Sequence, residues 1–246
     1  MTEGLLLLHA FPLDASMWEP QVRAVTGVPV VAPNLPGFGG APPAGPVMTM
    51  DAAADAAADA ATAAGVDRVV VCGLSMGGYV ALAFWRRHRD RVAGLVLANT
   101  KAGADDEAGR DRRRALADRL RSEGNAFLVD APPPLLSADA PDDLWSRVKG
   151  IIAAQASEAI AAASLGMAER PDSTPDLPGI DVPTLVITST GDALIPSEAT
   201  TPMADQIPRA LLEVIEGAGH LSNLEAPDRF TQLLLEHATA SGVGAS

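Results

Sequence analysis

Apolar residues in this chain fall in short unbroken runs separated by longer mixed stretches. Leu5–Leu8, Val28–Ala32, Val69–Cys72 and Leu95–Ala98 carry no charged side chain, as expected of parallel strands buried on both faces. Two later runs, Thr184–Thr188 and Leu211–Ile215, read the same way. Helical stretches lie between them. Strand and helix therefore alternate, which predicts an α/β fold with a mainly parallel sheet.

The tract Asp51-Ala-Ala-Ala-Asp55-Ala-Ala-Ala-Asp59 predicts a helix before the third strand, with Thr49 placed to cap it. Its aspartates share one face and repel, so that face is expected to be solvated. Residues 101–180 break the rhythm. Two helical patterns, at roughly 105–129 and 142–168, flank Ala131-Pro132-Pro133-Pro134. The stretch is too long for a simple connection. It predicts a core formed by residues 1–100 and 181–246, with a helical lid inserted at 101–180.

Composition narrows the function. The 246 residues are 48% hydrophobic, enough to bury one large core. A net charge of −13 repels phosphate backbones and anionic membranes, which leaves a small molecule as the expected partner. Cys72 is the single cysteine, so no intrachain disulfide can form and a reducing compartment fits. Met1-Thr2-Glu3-Gly4 has no basic n-region, and no apolar run approaches a membrane span. A cytoplasmic location is the expectation.

The chemistry centres on Gly73-Leu74-Ser75-Met76-Gly77, a G-x-S-x-G sequence between a β-branched run and a helical one. A serine on a sharp strand-to-helix turn needs small residues two before and two after it. Its hydroxyl then stands at the carboxyl end of the sheet, on a helix N-terminus that favours developing negative charge.

Such a serine needs a base. Of the four histidines, His88 lies among arginines on an expected solvated face, and His237 lies on the last helix with an expected surface role. His9 ends the first strand and reads as a structural residue bonding loop backbone. His220 stands in Gly217-Ala218-Gly219-His220-Leu221, just past the last strand, where a loop can hold an imidazole above the sheet. Asp192 follows the Thr184–Thr188 strand and can fix the imidazole tautomer. Asp181 precedes that strand and so lies at the wrong end, while Glu198 follows Pro196. The expected catalytic set is Ser75, Asp192 and His220. Backbone N–H groups of Phe11 and Met76 are the expected oxyanion donors, since Pro12 has none. Neither a metal nor an organic cofactor is implied.

With these residues in place the chain resembles the α/β-hydrolase superfamily, nearest the branch of small esterases, 3-oxoadipate enol-lactonases and metal-free haloperoxidases. His9-Ala-Phe-Pro with Trp18 resembles that branch's oxyanion loop, and Asn34-Leu-Pro-Gly-Phe-Gly39 its D-x-x-G-x-G loop. Ala10, Asn34 and Ser189 depart from the usual glycine, aspartate and glycine. The resemblance implies an α/β-hydrolase fold, here with about six strands and without the usual N-terminal hairpin. Val28–Ala32 would then be an edge strand, free to pair with a second copy or to be covered by a loop. Monomer and homodimer both stay open.

The implied reaction is cleavage of a carboxylic ester or lactone of a small, apolar substrate through an acyl-enzyme on Ser75. Carbon–carbon hydrolysis or perhydrolysis by the same triad, or a non-hydrolytic binding or biosynthetic scaffold, are the alternatives. Serine at 75 argues against the dehalogenases and epoxide hydrolases of this fold, which use a carboxylate nucleophile. Of Phe127, Leu128, Leu135, Leu136, Trp145, Ile151, Ile152 and Met167 in the lid, most are expected to pack its helices together.

Overall fold

In the computed structural model, which describes residues 1–244, six strands form one sheet in the order β2-β1-β3-β4-β5-β6. They are β1 (Glu3–Leu8), β2 (Val30–Val31), β3 (Arg68–Leu74), β4 (Val92–Ala98), β5 (Thr184–Ser189) and β6 (Ala210–Ile215). Every pairing is parallel. Leu5, Leu6, Leu7 and Leu8 are all fully buried, as are Val69–Cys72 and Leu95–Ala98. Successive strand residues point to opposite faces, so full burial at each position requires layers on both sides of the sheet.

Those layers are helical. The first three helices are α1 (Glu19–Ala24), α2 (Met50–Ala63) and α3 (Met76–Arg87). Thr49 caps α2, accepting a hydrogen bond from Ala52 N–H at 3.1 Å. α3 packs on β1, β3 and β4 with α2 beside it. The acidic face of α2 is not merely solvated: Asp51 and Asp55 pair with Arg86 and Arg87 of α3, and His88 Nε2 lies 2.9 Å from Asp55. Sequence spacing could register the repulsion along α2 but not the cations that fold against it.

Between β4 and β5 the described chain has no strand. It carries α4 (Glu107–Glu123), α5 (Ala126–Asp130), α6 (Asp142–Ala153) and α7 (Ser157–Glu169), with α4 packed on α7. Each expected long helix is two. Gly124 takes φ +79° and ends α4. Asn125 Nδ2 then donates to the carbonyls of Ile152 and Gln155, closing off α6 where the chain bends by 93° into α7. The chain closes with α8 (Ser197–Thr200), α9 (Pro202–Gln206), α10 (Ser222–Glu225) and α11 (Pro227–Ala240). No single helix among the described residues is long and apolar enough to cross a membrane.

Both edge strands depart from the expected full burial. β2 is only two residues long and half-buried. Pro29 has no N–H to give the ladder, and its carbonyl accepts from Leu5 N–H at 2.8 Å instead. β6 is the other edge, with Leu211 64%, Leu212 39% and Val214 41% exposed. A short apolar run announces a strand without saying whether another layer covers it.

Candidate active site

Ser75 sits between β3 and α3 at φ +56°, ψ −115°, a conformation that costs a non-glycine residue energy. The flanking glycines explain how the turn closes. A Cβ on Gly73 would stand 2.1 Å from the Gly77 carbonyl oxygen, and one on Gly77 2.0 Å from the Leu8 carbonyl oxygen. The turn is pinned by Ser75 N–H donating to Ala98 O at 3.0 Å and Thr100 Oγ1 donating to Ser75 O at 2.8 Å.

Asp192 follows β5 and is buried, with acceptor sites on both oxygens filled. Oδ1 accepts from Leu194 and Ile195 N–H, each at 2.9 Å. Oδ2 accepts from His220 Nδ1 at 2.8 Å and from Asn99 Nδ2 at 3.0 Å. Burial raises the Asp192 pKa, but the hydrogen bond and charge of His220, with Ile195 N–H and Asn99, outweigh it, holding the carboxyl below its ordinary value. An ionised carboxylate can only accept, so Nδ1 of His220 is the donor, and in the neutral imidazole this tautomer puts the lone pair on Nε2.

Ser75 and His220 line one cavity of about 460 Å³. No hydrogen bond joins Ser75 Oγ to His220 among the described residues. Phe11 lines the same cavity. Neither its N–H nor that of Met76, the first residue of α3, has a hydrogen-bond partner among the described residues. Both donors are free for a ligand. Asp181 lines a depression at the opposite end of the sheet, and Glu198 is exposed on α8; neither bonds His220.

The other two histidines, His88 just past the end of α3 and His237 on α11, differ from expectation. His88 is half-buried against Phe84 and Asp55. His237 is only 5% exposed, close to the Leu95 and Pro183 backbone. A helical position late in the chain says nothing about what packs on it, and α11 lies against β4.

His9 is structural, as its sequence position suggests. Fully buried, it donates from Nδ1 to Ala10 O at 3.1 Å, and Nε2 accepts from Leu35 N–H at 3.0 Å. It thereby ties the loop after β1 to the one after β2. Burial lowers its pKa to about 4, against weaker raising effects of the Ala10 carbonyl and Asp14. The folded state disfavours the charged form, so this contribution to stability is whole above pH 6.5 and lost as pH falls towards 4. The loss amounts to about 3 kcal/mol. Urea unfolding of the parent and His9→Gln between pH 7.5 and 4 measures this; the variant is expected to show the shallower decline. Parallel declines would contradict it.

The three departures from the usual loop residues are accommodated. Ser75 and Asn99 are the non-glycine positions of positive φ among the described residues, so Ala10 needs no special backbone. Asn34 Oδ1 accepts from Ala15 N–H and Nδ2 donates to Gly39 O, a donation an ionised aspartate cannot make. Ser189 Oγ donates to Gly219 O at 2.7 Å, holding the histidine loop.

Several contributors escaped the sequence reading. Asn99 reaches both Ser189 Oγ and Asp192, while its Oδ1 accepts from Ser222 Oγ. Glu225 accepts from Gly219 N–H and from Ser137 N–H, and Leu221 N–H donates to Leu135 O, stitching the histidine loop to the segment after the prolines. Lys101, Asp105, Arg112 and Arg113 also line the cavity. Of the eight apolar residues noted between 127 and 167, only Leu135 and Met167 reach it. The strand-end position of Asn99, immediately after β4, was the one available signal; the rest meet only through folding.

Comparison with known proteins agrees with this architecture. The chain is 30% identical over 241 residues to the pimeloyl-[acyl-carrier protein] methyl ester esterase of Aromatoleum aromaticum, covering 91% of this chain and 93% of that protein. It is 28% identical to 3-oxoadipate enol-lactonase 1 of Acinetobacter baylyi, covering 94% and 86%. Among solved structures, a thermophilic esterase from Thermogutta terrifontis superposes with a TM-score of 0.93 at 40% identity, covering 98% and 90%. The model of the Alpha/beta hydrolase family matches residues 5–233, and with the six-stranded parallel sheet already described the chain belongs to that family.

Proposed function

We propose that this protein is a serine hydrolase that cleaves carboxylic esters or lactones through an acyl-enzyme on Ser75. The observation that carries the reading is the filled carboxylate of Asp192, which leaves His220 Nε2 as a base beside the cavity that Ser75 also lines. Relatives named as a methyl ester esterase and an enol-lactonase, and a structural neighbour named as an esterase, support the bond class.

Ser75 Oγ attacks the carbonyl carbon and passes its proton to His220 Nε2. The N–H groups of Phe11 and Met76 receive the oxyanion. His220 then protonates the leaving alcohol, and in the second half it takes a proton from water, which releases the acid and restores Ser75. Residues 101–180 act as a lid whose cavity-facing residues set the pocket's chemistry.

A fluorophosphonate probe followed by peptide mass spectrometry tests the assignment. The label is expected on Ser75 in the folded protein and nowhere else at comparable rate, with loss of ester hydrolysis in step. Folded protein that hydrolyses esters but takes no label at Ser75 would remove the proposal.

A further inference from the structure

The chain carries a net charge of −13, yet the charged wall of the cavity is positive. Lys101, Arg112 and Arg113 line it, against Asp105 as the one carboxylate in the lining. Asp105 is itself heavily shared. Its Oδ1 lies 2.9 Å from Arg170 Nη2 and 3.3 Å from Lys101 Nζ, and its Oδ2 lies 3.2 Å from Arg113 Nε.

Arg170 is the buried partner of Asp105, held on Oδ1. Its side chain is 3% exposed, bonds the carbonyls of Met167 and Gly103, and lies 4.1 Å from the Tyr79 ring centroid. Lys101 and Arg113 share the same carboxylate and Arg112 stands beside them, so four cations face one carboxylate and positive charge is in surplus. Arg113 commits only Nε, so both terminal nitrogens are free of protein partners among the described residues. Its guanidinium stands 6.0 Å from the ring centroid of Phe11, whose N–H is a proposed oxyanion donor. Arg112 makes no ion pair among the described residues and also lines a small depression contiguous with the first.

Like charges gathered on one wall repel unless an anion neutralises them, and a cleft of one sign raises the local concentration of the opposite ion. A planar fork of free guanidinium donors matches a carboxylate. This adds a charged group to the small, apolar substrate that the sequence led us to expect. Leu116, Leu135, Met167, Leu194 and Ile195 line the rest of the cavity and suit a short aliphatic chain.

We propose that the substrate is a short aliphatic ester or lactone bearing a free carboxylate, gripped by Arg113 with Lys101 and Arg112 while Ser75 acts on the other end. The proposal rests on the reading of Ser75 as nucleophile. It makes the favoured molecule a half-ester of a small dicarboxylic acid, or a lactone with a carboxylate side arm.

The test compares monomethyl adipate with methyl hexanoate, followed by pH-stat titration at low and high salt, beside fluorophosphonate labelling of Ser75. The half-ester is expected to be favoured about tenfold or more in kcat/KM, with the advantage shrinking as salt screens it. Arg113→Gln and Arg112→Gln are each expected to narrow that ratio. Arg112→Gln guards against misfolding, since that side chain is exposed and unpaired. Equal or faster turnover of methyl hexanoate, with Ser75 labelled, overturns the carboxylate proposal and leaves the nucleophile standing. Where neither ester turns over, labelling itself is the readout: protection by glutarate but not glutaramide supports the proposal, and equal or no protection overturns it. Absence of any label on Ser75 overturns both readings together.

Discussion

Ser75→Ala is expected to lower kcat for an ester by about 10⁴-fold or more while the protein stays folded. The size follows from the division of labour in the site. Without the hydroxyl no acyl-enzyme can form, and what survives is whatever the oxyanion donors do for direct attack by water. The fold should tolerate the change, because alanine keeps the Cβ already accommodated at φ +56°. The backbone bonds that hold the turn, from Ser75 N–H to Ala98 O and from Thr100 Oγ1 to Ser75 O, do not involve the hydroxyl. Steady-state kinetics on protein freed of host esterases, with a melting curve beside it, reads both halves. Turnover within tenfold of the parent, from a variant that melts normally, would mean the chemistry runs elsewhere.

The sheet was legible because its central strands are buried on both faces and so are written as unbroken apolar runs. Leu5–Leu8 and Leu95–Ala98 could hardly be anything else. The same signal misled at the margins, since Leu211, Leu212 and Val214 spell a buried strand but stand at an open edge. Burial is decided by neighbours, and a run of leucines does not record whether it has one. Helix existence was equally plain and helix ends were not. The expected helix at 105–129 ran straight through Gly124, where α4 ends, and it takes the fold to show Asn125 closing off α6 at the same point.

The candidate site shows the same divide. Ser75 directly follows β3, and Asp192 and His220 lie in the loops that follow β5 and β6, so one rule about carboxyl strand ends brought all three to one rim of the sheet. Lys101, Asp105, Arg113 and Arg170 obey no such rule. Arg170 lies 65 residues beyond Asp105, and only the packing of α7 on α4 brings the two within 2.9 Å. Charges that compensate across a fold are silent in a linear reading, and here they set the character of the pocket. Ser189 falls between the two cases. It is conspicuous as an unusual residue before the acid, but its use, holding the Gly219 carbonyl beside His220, needs coordinates.

Asp192→Asn is expected to lower kcat by roughly 10⁴-fold, through the tautomer of His220 rather than through any loss of shape. The N–H groups of Leu194 and Ile195 both require an acceptor at the Oδ1 position. The amide oxygen of asparagine must take that place, which puts its NH₂ where Oδ2 was. There it faces His220 Nδ1 and the Asn99 amide. Asn99 cannot simply turn over to help, because its Oδ1 accepts from Ser222 and its Nδ2 also donates to Ser189 Oγ. The imidazole answers by accepting at Nδ1, so its proton moves to Nε2 and the lone pair that should receive the Ser75 proton is gone. A structural role for Asp192 would instead lower the melting temperature while leaving kcat per folded molecule near the parent's. Measuring kcat well below the melting transition, together with the imidazole tautomer by nitrogen chemical shift, separates the two. An asparagine variant that keeps the Nδ1–H imidazole and more than a tenth of the parent kcat would show that the carboxylate is not what readies this histidine.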